Sequence, residues 1–191
     1  MDKSELEALK KENRDLREKV SSLEREVERL KRDNEVLYRL ERLGIADEKY
    51  FSRRLKEAVL SAERYARFLC VVLVDVPRTD DKEEEDLPLE TAGRLQEVFR
   101  KTDLVALYDS GKVFVLLEEA ETNQGIQALR RVQEEISDIP SPKYSMACYP
   151  SDSNKDSVLL ELLENRMAKI RMVEAEGPMV HFGEQILPLR N

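Results

Sequence analysis

The sequence is poor in the residues that build metal and disulfide sites. Its 191 residues include one histidine, His181, and two cysteines, Cys70 and Cys148. A single histidine excludes a histidine-rich metal centre, and its place near the C-terminus predicts a surface residue. Both cysteines lie in apolar runs that read as buried strands, so reduced, buried thiols are expected. No apolar run approaches the roughly 20 residues that a membrane span needs, and a signal-type N-terminus is lacking. These absences predict a soluble, cytoplasmic chain without a cofactor.

Positive charge is in deficit too. Lys and Arg number 32 against 40 Asp and Glu, a formal net charge of -8. The charges are interspersed with apolar residues, so wholesale disorder is not expected. Residues 1–43 hold 12 charges of each sign, so the whole excess lies in residues 44–191. An acidic domain has no broad field to attract DNA or an anionic membrane, and neither is expected as a partner. An anion that binds there needs a local cluster of arginines.

What is present first is a narrow apolar stripe. With Leu6 at heptad position a, the d positions are Leu9, Leu16, Leu23, Leu30 and Leu37, and the later a positions are Asn13, Val20, Val27 and Asn34. Leu at d with Val and Asn at a favours a parallel two-stranded coiled coil, because a buried Asn pair tolerates few other registers. The flanking g–e pairs agree in sign: Glu5–Lys10, Glu12–Arg17, Lys19–Glu24 and Glu26–Lys31. The pattern predicts a homodimer joined by a rod of roughly 60 Å at about 1.5 Å per residue. A DNA-binding zipper would need an upstream basic region, and five residues precede Leu6. Gly44 marks the expected boundary between a coiled-coil segment, 1–43, and a domain, 44–191.

Within that domain, Phe51, Leu55, Val59 and Ala62 recur at helical spacing. Phe68 to Val76 is continuously apolar except for Asp75, as suits a central strand buried on both faces. Residues 78–86 are acidic and read as an exposed loop, with contact to a basic partner as the functional alternative. A helix is predicted over 87–100. A hairpin follows, Leu104 to Tyr108 and Lys112 to Leu117 around a turn at Asp109-Ser110-Gly111. Further elements are a helix over 123–137, a strand over 144–149, a helix over 156–174 and a short edge strand over 179–182. The order predicts an α+β domain with helices packed on a mainly antiparallel sheet.

The stretch from about Leu43 to Gly183 resembles a GGDEF domain, the palm-type fold of diguanylate cyclases. Gly44-Ile45-Ala46-Asp47-Glu48-Lys49-Tyr50-Phe51 resembles the opening Thr-Gly-Leu-x-Asn-Arg-Arg-x-Phe segment of that family. Val71 to Val76 resembles its strand ending in a metal-binding Asp-x-Asp pair. Arg100 to Tyr108 resembles its Arg-x-x-Asp-x-x-x-Arg-Tyr lead into the signature hairpin. The resemblance implies dimerisation through the upstream zipper, since two such domains must face each other to make product.

The departures fall on the catalytic parts. Asp109-Ser110-Gly111-Lys112-Val113 stands where the family has Gly-Gly-Asp/Glu-Glu-Phe, and Lys112 reverses the sign that a two-metal site depends on. Asp75 matches the first metal ligand, but Pro77 stands at the second. The loop expected to contact guanine is shortened and acidic, and Glu174 aligns with a phosphate-binding Lys. The expectation is a catalytically inactive protein that holds no metal.

One functional element of the family survives. Its product-binding site uses an Arg-x-x-Asp before the hairpin and a second arginine on the following helix, which match Arg100, Asp103 and Arg131; Arg130 stands beside Arg131. The resemblance therefore implies a receptor for cyclic di-GMP. The same Arg and Asp, three apart at a helix end, also suit an exposed ion pair worth ~0–1 kcal/mol or a simple cap. The second functional expectation is a ligand-free dimeric adaptor that docks an unidentified protein partner.

Overall fold

The computed structural model describes residues 3–76, 87–108, 111–137, 142–173 and 177–189. The chain forms two compact units, Met1–Arg39 and Leu40–Asn191. The first unit is the greater part of a single helix, α1 (Lys3–Leu43). Along it Asn13, Leu16, Val20, Leu23, Val27, Leu30, Asn34 and Leu37 are all exposed in the single chain. The side chain of Leu9 lies outside the described residues. The division falls at Arg39/Leu40, four residues before Gly44, because Leu40 and Ile45 are buried in the core of the second unit. Gly44 sits between them at φ +68°, a left-handed turn open to glycine at little cost. The chain then runs beside a sheet edge, where the Ala46 N–H donates to Val105 O at 2.8 Å and Leu107 N–H to Ala46 O at 3.0 Å.

The second unit contains α2 (Glu48–Tyr65), β1 (Leu69–Asp75), α3 (Leu87–Val98), β2 (Leu104–Leu107) and β3 (Val113–Glu118). There follow α4 (Thr122–Glu135), β4 (Lys143–Tyr149), α5 (Asp156–Arg171), β5 (Met179–Phe182) and β6 (Gln185–Pro188). The six strands form one sheet in the order β2-β3-β1-β4-β5-β6. Every pairing is antiparallel except β4 with β5. This is the α+β architecture that the order of elements predicted.

The sheet is covered on both faces, which explains the unbroken apolar run of β1. Leu69, Val71 and Leu73 join a core with Phe51, Leu55, Val59 and Ala62 of α2 and Leu159, Leu163, Met167 and Ile170 of α5. Cys70, Val72 and Val74 point the other way, into a core with Leu89, Ala92 and Leu95 of α3 and Leu129 and Val132 of α4. The alternation is the period of two of a strand, here apolar on both sides. Helix α2 begins where the Asp47 carboxylate accepts the Tyr50 N–H at 2.7 Å, an N-cap.

Several expectations are corrected. Cys70 and Cys148 face each other in the β1–β4 register with Cα atoms 4.1 Å apart, and they form a disulfide rather than free thiols. Burial was legible in the apolar runs; that the two runs lie side by side in this register was not. His181 is buried, not superficial, and its Nδ1 lies 3.0 Å from Arg166 O of α5. Strand β5 is not an edge, because β6 pairs outside it. The last described helical residue of α5 is Arg171. Pro77, the acidic segment 78–86, Asp109, Ser110 and Glu174 lie outside the described residues.

Candidate functional site

Helix α3 ends at Val98, and the chain turns through Arg100 to Asp103 before entering β2. The turn is closed reciprocally. The Asp103 N–H donates to Arg100 O at 2.9 Å, and the Arg100 N–H donates to Asp103 Oδ2 at 3.1 Å. Asp103 is thereby folded inward and is only 9% exposed. Burial pushes its carboxyl above the ordinary carboxylate range. The Arg100 N–H and charge, the Glu118 N–H of β3 and the charge of Arg131 act against that rise without cancelling it.

Arg131 comes from α4, whose start is fixed by the Glu121 N–H donating to Gln124 Oε1 at 2.9 Å. Leu129 and Val132 of this helix are buried, so Arg130 and Arg131 lie on its outer side and both are exposed. Of the two, Arg131 is the one whose charge acts on Asp103. Arg100 is exposed as well. Among the described residues the guanidinium groups of Arg100 and Arg131 make no hydrogen bond or ion pair. The charges of Arg100 and Arg131 thus both act on the buried Asp103 carboxyl. Two such forks suit phosphate or the O6/N7 edge of guanine, and the carboxylate suits guanine N–H donors.

The opposite end of β1 carries Asp75, the match to the first metal ligand. Both its oxygens are taken by one side chain: Arg171 Nε donates to Oδ2 and Arg171 Nη2 to Oδ1, each at 2.7 Å. Lys112, at the hairpin, donates to both oxygens of Glu164 at 2.7 and 2.8 Å. Among the described residues no group of three or more His, Cys, Asp or Glu could hold a metal ion. The divalent metal that the fold family uses does not fit this donor set, since the Asp75 carboxylate is already bonded to a guanidinium and the Glu164 carboxylate to the lysine at the hairpin.

Sequence reasoning missed the partners supplied by α5. Arg166 is 7% exposed and donates to Asp152 Oδ1 at 2.6 Å, Asp152 Oδ2 at 3.1 Å and Met146 O at 2.6 Å. Arg171 and Glu164 are ordinary helix residues by pattern; only their spacing of seven, two turns on one face, hinted that they act together. A separate cleft beside α2 is lined in part by Arg54, Ser61, Arg67 and Phe68. Its cations are paired with Glu118 and Glu119 at 2.9 and 2.6 Å.

No family profile matches the sequence, and no curated protein matches it. Solved structures do. The GGDEF domain of YfiN (TpbB) from Pseudomonas aeruginosa superimposes with a TM-score of 0.62 at 21% identity, covering 74% of this chain and 99% of that one. The coiled coil and GGDEF domain of DgcB from Caulobacter crescentus, solved in complex with c-di-GMP, gives 0.59 at 16% identity over 87% and 99%. Diguanylate cyclase SiaD of Pseudomonas aeruginosa, solved with its activator SiaC, gives 0.61 at 15% identity over 93% and 77%. The second unit has the fold of a GGDEF domain. No helix among the described residues is long and apolar enough to cross a membrane.

Proposed function

We propose that this chain is a dimeric, catalytically inactive signalling protein of GGDEF fold that acts as a receptor for cyclic di-GMP at Arg100, Asp103 and Arg131. The observation that carries the reading is the pair of exposed guanidinium groups, without a hydrogen bond or ion pair among the described residues, whose charges act on one buried carboxyl. An arginine fork bonds a phosphate or the guanine O6/N7 edge bidentately, while the Asp103 carboxylate accepts from guanine N1–H and N2–H. Burial strengthens such bonds because water competes less for the carboxylate. A neighbour in fold that joins a coiled coil to this domain was solved with c-di-GMP, which supports the ligand class.

The absence of cyclase activity follows from charge. Lys112 puts a cation where the family has an acid, and Asp75 is bonded to Arg171. Dimerisation follows from the α1 stripe, whose Leu and Val residues at heptad a and d positions are about half exposed in the single chain; a second copy in parallel register covers them. The reading is tested by calorimetric titration of cyclic di-GMP into the purified protein, with Arg100→Ala as control. Micromolar or tighter binding that the substitution abolishes is the expected result. Absence of both heat and thermal shift at high ligand would refute the receptor. The adaptor reading would then stand, supported by SiaD, a fold neighbour solved with a protein activator.

A further inference from the structure

The β1–β3 ladder runs to Val74 opposite Val113, so Asp75 and Lys112 are the next residues on two neighbouring strands. They carry opposite charges, yet neither bonds to the other. Each is turned toward α5 instead, Asp75 to Arg171 and Lys112 to Glu164. Glu164 and Arg171 are seven residues apart and so share one face of that helix. The adjacent strand adds a third link: Lys143 of β4, which pairs with Asp75 in register, directs its ammonium to Ile170 O at 3.5 Å. Asp75 is partly sheltered, with a side chain 25% exposed, and the Arg171 bond is a two-point fork of the stronger, charge-assisted kind.

We infer that α5 has taken over the place of a divalent metal at this end of the sheet, with the Arg171 guanidinium as the internal cation for Asp75 and Glu164 as the counter-ion of Lys112. The carboxylate and the hairpin are thereby tied to one helix by ion pairs within the chain, and the site is closed to a metal–nucleoside triphosphate complex. The inference rests on the inactivity part of the proposed function, which uses Lys112 and Asp75 too, and is independent of the receptor part, because none of its four residues is Arg100, Asp103 or Arg131.

The test is thermal unfolding of the full chain as wild type, Asp75→Asn, Arg171→Gln and the double variant, with Arg171→Lys as a conservative control. Mn2+ binding to each protein is read in parallel by electron paramagnetic resonance. Each single substitution is expected to lower Tm by about 2–4 °C, and the double variant to fall no further than the worse single one. Arg171→Lys keeps the charge without the fork and is expected to lie between wild type and Arg171→Gln. The wild type is expected to bind no Mn2+ at submillimolar concentration and to unfold at the same temperature in millimolar Mg2+. Stoichiometric Mn2+ binding by the wild type, strictly additive Tm losses, or an Arg171→Lys variant as stable as wild type would each overturn the inference.

Discussion

Removing the Asp152 carboxylate strands a cation in the interior. In the native structure Arg166, 7% exposed, spends its guanidinium on Asp152 and on Met146 O, while the Cys148 N–H donates to Asp152 Oδ2 at 2.8 Å. Asp152→Ala therefore deletes three hydrogen bonds and leaves Arg166 with one acceptor. Breaking a buried pair from one side costs about 3–5 kcal/mol. Asp152 is 17% exposed at its side chain, so the low end of that range, about 3 kcal/mol, is expected. At about 2–4 °C per kcal/mol for a unit of this size, Tm falls by about 6–12 °C. Near-UV circular dichroism reads this directly, because Tyr144 is buried in the affected unit and its signal does not depend on the helical rod. The pH dependence adds a sign. Burial alone would raise the Asp152 carboxyl, but hydrogen bonds from Arg166 and the Cys148 N–H, with the charge of Arg166, hold it below its ordinary value. Its stabilisation is thus present above the unfolded-state pKa and is lost as pH falls through the folded one, so the gap between variant and wild type narrows below about pH 4. A Tm within 2 °C of wild type at neutral pH, or a gap that stays constant into acid, would refute this account of the pair.

The dimer is checked by sedimentation equilibrium: wild type is expected as a dimer, and Leu23→Glu, which sets like charges against each other at a central d position, as a monomer. Cyclic di-GMP affinity is expected to strengthen as pH rises through the raised Asp103 pKa, because only the ionised carboxyl accepts from guanine N1–H and N2–H with both oxygens; Asp103→Asn should bind weakly and without that pH step. Incubation with GTP and Mg2+ is expected to yield no cyclic dinucleotide, read by chromatography, and product above a blank would contradict the reading of Lys112 and Asp75. Alkylation of the denatured, unreduced protein should find Cys70 and Cys148 blocked. Reduction should lower stability by up to about 4–5 kcal/mol for a loop closed across 78 residues, on the chain-entropy account.

Much of the fold was readable because local periodicity carries it. A period of 3.6 in Phe51, Leu55, Val59 and Ala62 specifies a helix with one buried face, and the unbroken run from Leu69 to Val74 specifies a strand covered on both sides. The heptads of α1 are legible for the same reason, since a stripe two residues wide per seven identifies its face without any knowledge of what covers it. Arg100 and Asp103 were legible through spacing, because a turn of four residues brings its ends together in any fold.

What the sequence left open depended on distance along the chain. No local pattern places Cys70 opposite Cys148, Arg171 on Asp75 across 96 residues, Glu164 on Lys112 across 52, or Arg166 on Asp152 across 14. Composition announced His181 as the single histidine, near a terminus; its neighbours on β4 and β6 and the packing of α5 bury it. Sequence by itself determined most of the helical and extended stretches and their apolar faces, though not β6 or the last residues of α3 and α5, since these stretches follow from backbone geometry within a few residues. The partners of the charged side chains were decided by the tertiary structure, because an ion pair is set by where the sheet order and helix packing bring two chain segments together.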